Sequence, residues 1–135
     1  MRAAAIFIAL PLIATLLNAL VMGSRHFVLS SWPAHAYHHL ARQIVLDCGM
    51  SLLGLLLLHH FLMRRRERWA WWGLLVCGVA IFGGYWLSSG SVGLGEPVLL
   101  AYSARIAYTA IYLLGLVLCW RLLSQVHRKN KPRIR

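Results

Sequence analysis

The chain predicts an all-α fold: an integral membrane bundle of four helices with both termini in the cytoplasm. Three observations carry this. The sequence is 60% hydrophobic over 135 residues, too apolar for an ordinary soluble domain of that size. It divides into four apolar stretches, each about one bilayer crossing long. The run Arg64-Arg65-Arg66-Glu67-Arg68 separates the middle two. Four arginines in five residues cannot lie in hydrocarbon, where each would cost roughly 2.5–3.5 kcal/mol on insertion scales. The run is therefore a turn in water that joins its flanking spans as a hairpin, on the cytoplasmic side by the positive-inside rule.

The first span covers residues 3–22. Arg2 leads it and Pro11 is placed to kink it. No A-x-A site closes it, and Leu20-Val21-Met22-Gly23 is a poor cleavage sequence, so it reads as a retained helix rather than a signal peptide. The longest loop, Gly23–Gln43, holds His26, Trp32, Pro33, His35, His38 and His39. Within it, Ala34–Gln43 is expected to form a short interfacial helix, with Pro33 suited to its first turn.

The second span covers residues 44–63 and the third residues 69–89. Trp69, Trp71 and Trp72 begin the third span, and Tyr85 and Trp86 lie near its far end. These are aromatic belts at two interfaces. Ser88–Pro97 contains three glycines and a proline and reads as an outer turn. The fourth span covers residues 98–123, and residues 127–135 form a basic cytoplasmic tail.

Charge orients the bundle. Of fourteen Lys and Arg residues, this topology places eleven inside: Arg2, four in the turn, Arg121 and five in the tail. Only Arg25, Arg42 and Arg105 fall outside. In a soluble protein a net charge of +11 would point to nucleic acid. Beside apolar spans it points instead to anionic lipid headgroups, so no nucleic-acid partner is expected. The location implied is the bacterial inner membrane.

Each span carries a stripe of small or polar residues at helical spacing. The stripes are Pro11, Thr15, Asn18 and Met22; Asp47, Ser51 and Gly54; Gly73, Cys77, Ala80 and Gly84; and Ala101, Arg105, Tyr108, Tyr112, Gly115 and Cys119. In membranes such residues turn toward other helices. Asn18, Asp47 and Arg105 fall at similar depth near the outer surface. An ionisable residue within a membrane marks a functional site with a named partner. One reading is a structural Asp47–Arg105 pair. The other is an outward polar pocket for a small ligand or ion, formed by Asn18, Asp47, Ser51, Arg105 and Tyr108.

The loop histidines offer a second constellation. His35 stands three residues before His38 and four before His39, so on a helix they share a face and could hold Zn2+ or Cu2+. No carboxylate or Cys completes the set within the loop, and no cofactor is expected. Cys48, Cys77 and Cys119 lie in apolar stretches without a CxxC spacing and read as packing residues. Enzymatic readings find little support. A transmembrane b-haem needs histidines on facing helices, and the first, third and fourth spans have none. Ser88–Gly93 does not make a G-x-S-x-G elbow.

The chain resembles the small four-helix bacterial membrane proteins of the DoxX-like type. The likeness lies in length, four spans, the basic turn Arg64–Arg68 and the Gly-rich turn before the last helix. It implies a membrane-embedded accessory or redox-associated role and assigns no site residue. Small multidrug exporters are similar in size but carry a glutamate in the first helix, and residues 3–22 contain no carboxylate. The functional expectation is a non-enzymatic protein that binds or transports a small solute through the outward pocket. Its rivals are an accessory subunit packed against a membrane-protein partner or in a homo-oligomer, and a membrane enzyme or metal-handling protein that uses the loop histidines.

Overall fold

A computed structural model describes residues 1–26, 34–83 and 99–129. Four helices account for all of them except Met1, Arg66 and Glu67. Helix α1 runs Arg2–His26 with Pro11 buried inside it. Helix α2 runs Ala34–Leu56 and continues as a π-helix over Leu57–Arg65. Helix α3 runs Arg68–Gly78 and continues as a π-helix over Val79–Gly83. Helix α4 runs Leu99–Lys129.

Several elements differ from the sequence expectation: α1 and α4 outrun the expected spans 3–22 and 98–123, α4 takes in residues 127–129 of the expected tail, and only Arg66 and Glu67 of the arginine run lie outside helices. The stretch Ala34–Gln43 is no separate interfacial helix but the first turns of α2. No proline or glycine interrupts it before Gly49, so one helix carries through. The third helix is described over sixteen residues, Arg68–Gly83. Its expected continuation to residue 89, with Tyr85, Trp86 and the outer turn Ser88–Pro97, lies outside the described residues. So do His26's side chain, Trp32, Pro33 and the tail beyond Lys129.

Helix α1 packs on α2 and α4, and α3 packs on α2 and α4. The pairs α1/α3 and α2/α4 are thus the diagonals of the bundle. Close approaches set the direction of each helix. In α3 and α4, Trp71 lies against Trp120 with ring centroids 4.9 Å apart, and Tyr112 reaches Leu74. In α2 and α3, Phe61 meets Trp69 at 4.7 Å. Helix α1 meets α4 where Ile8 touches Gly115, and α2 where Leu12 touches Gly54. The chain therefore runs up, down, up and down. The start of α1, the arginine turn and the end of α4 share one end, called here the basic end.

The turn is closed by the backbone. The N–H groups of Arg66 and Glu67 both point to the Phe61 carbonyl, the latter at 3.1 Å. This wrap requires Arg66 at φ 56°, ψ 36°, in the left-handed region, where an L residue with a Cβ is strained. Arg65 stacks over Phe61 and Arg68 over Trp120, with guanidinium carbons 5.6 and 5.7 Å from the ring centres.

The core is an apolar cluster that includes Ala4, Ile8 and Leu12 of α1, Leu58 and Leu62 of the π segment, Ala70, Leu74 and Cys77 of α3, and Tyr112, Leu116 and Leu123 of α4. The outside is equally apolar. Val45 is 72% exposed, Val79 63% and Leu17 56%, with many more Leu and Val beside them. Such a surface is rare on a soluble monomer and fits a bundle immersed in lipid. Among the described residues, three helices, over Arg2–Val21, Tyr37–Arg65 and Ser103–Arg128, are long and apolar enough to cross a membrane.

Candidate functional site

The polar residues of interest gather away from the basic end. Asp47 and Ser51 stand four apart on α2, with Gly54 next along the same face. The Gln43 side-chain amide donates to Asp47 Oδ1 at 2.7 Å, which orients the carboxylate. Arg105 of α4 acts electrostatically on Asp47 across the α2/α4 diagonal. Both are half-buried.

One turn deeper, Ser51 is completely buried, and its hydroxyl finds no hydrogen-bond partner among the described residues. A buried hydroxyl left unpaired costs roughly 1–3 kcal/mol. The Thr109 hydroxyl is satisfied within its helix, donating to the Arg105 carbonyl at 2.8 Å.

The other two expected members stand apart. Asn18 is exposed, because the buried side of α1 is formed by Ala4, Ala5, Ile8, Leu12 and Ala19. Tyr108 is 40% exposed. The tyrosine that turns inward is Tyr112, at 1% exposure, whose hydroxyl donates to the Leu74 carbonyl at 2.6 Å. Trp71 makes the reciprocal bond, its indole N–H reaching the Leu116 carbonyl at 2.8 Å. These two residues clamp α3 to α4. The signal available in sequence was size matching: Tyr112 fits over Gly78, where a Cβ would collide with the ring.

Below Arg105, between α3 and α4, lies a groove of about 190 Å³ with an entirely apolar accessible wall. Phe82, Val79 and Gly78 line one side, and Thr109, Tyr112 and Leu113 the other. A larger trough runs beside His38, His39, Arg42 and Gln43. All of its lining comes from α2, so it is the flank of one helix rather than an enclosed site.

The histidine set is only partly visible. His38 and His39 are exposed with ring centroids 6.3 Å apart, edge to face. The side chain of His35 lies outside the described ones. Among the described residues, no three His, Cys, Asp or Glu side chains converge as metal ligands would. Cys48, Cys77 and Cys119 are unlinked, and the last two are buried in the core.

No known protein family, curated protein or solved structure matches the chain.

Proposed function

We propose that this is a small polytopic protein of the bacterial inner membrane, without catalysis, that binds or carries a small ligand or ion. The site is the polar layer of Asp47, Arg105 and Ser51, away from the basic end; Asn18 and Tyr108, on exposed faces, stand apart from it. The observation that carries this reading is Ser51. A fully buried hydroxyl without a partner among the described residues, one turn beneath a carboxylate on which a guanidinium acts electrostatically, supports a polar ligand here, because buried polar groups are as a rule hydrogen-bonded. At the other end, the stacked Arg65 and Arg68 suit the anionic headgroups of the cytoplasmic leaflet.

The test uses Asp47→Asn, Arg105→Gln, their combination and Ser51→Ala, each purified and followed by unfolding and by mass spectrometry of bound small molecules. Ser51→Ala should gain about 1 kcal/mol in the empty protein by removing the unpaired hydroxyl, while retaining less ligand. The double charge variant should fold and carry none. A stable double variant with its ligand still bound would leave Asp47 and Arg105 as a structural clamp only.

One observation favours a second reading, that of an accessory subunit. Ser103, Ala107 and Ala110 lie exposed along one side of α4, and small residues there let another helix approach closely. Co-purification of a stoichiometric membrane partner, lost with Ala107→Leu, would establish it.

A further inference from the structure

We infer that the basic end holds a phospholipid with two phosphates, of the cardiolipin class, across the seam between α3 and α4. Arg68 and Arg121 each take one phosphate, on either side of Trp120. This rests on the reading of the basic end as a surface for anionic headgroups, and is independent of the Asp47/Arg105 layer.

Each of the two cations ends an apolar strip. Arg68, Trp72, Val76 and Val79 follow one face of α3 at spacings of four, four and three residues, and all four are exposed. Arg121, Val117 and Leu114 do the same on α4 at spacings of four and three. Trp120 joins the strips. Its ring lies 6.2 Å from that of Trp72 and 5.7 Å from the Arg68 guanidinium carbon. Arg121 follows Trp120 by one residue, about 1.5 Å along the helix axis. The two arginines therefore stand at one level on neighbouring helices.

Neither charge is neutralised within the chain as described. Glu67, the only described carboxylate of this end, meets Arg65 and accepts from the Trp69 indole. Arg68 and Arg121 form no ion pair among the described residues. The Trp120 ring gives Arg68 a π face but no oxygen acceptor, so the guanidinium fork stays available for a phosphate. Arg121 is exposed and offers the same fork.

The strips select the class of anion. A soluble phosphate or an acidic peptide would satisfy the arginines and leave Val76, Val79, Val117 and Leu114 uncovered. A phospholipid supplies phosphate and acyl chain together, and the exposed Trp72 suits the headgroup level between them. A single phosphate matches one fork. Two phosphates joined through a glycerol match both, and binding of the first raises the effective concentration of the second. Basic sites between helices at the cytoplasmic face have this general chemistry.

The experiment titrates full-length protein in mixed micelles with tetraoleoyl cardiolipin, dioleoyl phosphatidylglycerol or dioleoyl phosphatidylcholine, and counts bound lipid by native mass spectrometry. At equal phosphate, cardiolipin should half-saturate at roughly tenfold lower concentration than phosphatidylglycerol, the scale of one added polar contact. Arg68→Gln and Arg121→Gln should each bring these two lipids level. Arg64→Gln removes the same charge from the neighbouring turn and should keep the preference. Pyrophosphate, which has two phosphates and no chains, should not displace cardiolipin at equal concentration.

Equal binding of cardiolipin and phosphatidylglycerol by the unaltered protein overturns the inference and leaves a general surface for anionic headgroups. Binding of neither above phosphatidylcholine overturns that surface as well. A preference that survives both Arg68→Gln and Arg121→Gln, or falls as far with Arg64→Gln, means diffuse charge rather than this site and also overturns it. Displacement by pyrophosphate does so too, in favour of a soluble anion. The lipid comparison uses unaltered protein, so it decides even where a variant fails to fold.

Discussion

Tyr112 is held at both ends. Its hydroxyl is tied to the Leu74 carbonyl at 2.6 Å, its ring lies over Gly78, and Phe82 stands 5.3 Å from it. The ring cannot swing aside without breaking the bond, so the space above Gly78 is fixed. Gly78→Ala should therefore destabilise the bundle by roughly 1–3 kcal/mol, the usual cost of overpacking. Tyr112→Phe alone should cost about 0.6 kcal/mol, the average for a polar contact between membrane helices. In a Tyr112→Leu background, Gly78→Ala should become nearly neutral. Unfolding in mixed micelles for the full double-mutant cycle reads the coupling; strictly additive values would mean the ring is not the obstacle. The same helix shows how finely sequence can be read. Relative to Arg105, Tyr112 is seven residues on and about 20° off its direction, whereas Tyr108 is three residues on and about 60° off at 3.6 residues per turn. The stripe on α4 takes in Arg105, Tyr108 and Tyr112 alike. Its tolerance was too wide to separate the exposed tyrosine from the buried one.

At the scale of elements, hydropathy locates hydrocarbon, not helix ends. The apolar run begins at Ile44, but α2 begins at Ala34, because Ala34–Gln43 contains helix-compatible polar residues and no breaker. The π-helical stretches Leu57–Arg65 and Val79–Gly83 leave no trace in composition, since π and α turns use the same residues. The arginine turn was legible from charge, but its left-handed residue was not, because glycine, the usual marker, is absent there. That absence makes a prediction. Arg66→Gly should stabilise the hairpin by about 0.5–1 kcal/mol, and Arg66→Val should weaken it by more, as a β-branched residue is a worse fit at positive φ. Arg66→Gln controls for the lost charge. A melting temperature that tracks charge alone across the three variants would remove the backbone explanation.

For the whole molecule, the two ends of the bundle have different chemistry. The basic end combines the arginine turn with Trp69, Trp71, Trp72 and Trp120, and its only described carboxylate is Glu67, which meets Arg65 at 3.9 Å and accepts from the Trp69 indole. The opposite end carries the Asp47/Arg105 layer. The direction of each helix puts the start of α1 and the end of α4 at the basic end, so one orientation of that end fixes both termini. Lys and Arg near short loops are retained on the cytoplasmic side, and a bias of eleven to three leaves little competition. The reverse orientation would require the whole turn Arg64–Arg68 to be translocated, which the positive-inside bias disfavours. An enzyme reporter active only outside the cytoplasm should therefore stay silent when fused after Arg135 and become active when inserted after Gly93, in the expected outer turn. Replacing Arg64, Arg65, Arg66 and Arg68 by glutamine removes four of the eleven, leaving seven against three, and should raise the fraction of active C-terminal fusions only in part. Strong activity after Arg135 in the unaltered chain would place the Asp47/Arg105 layer on the cytoplasmic side.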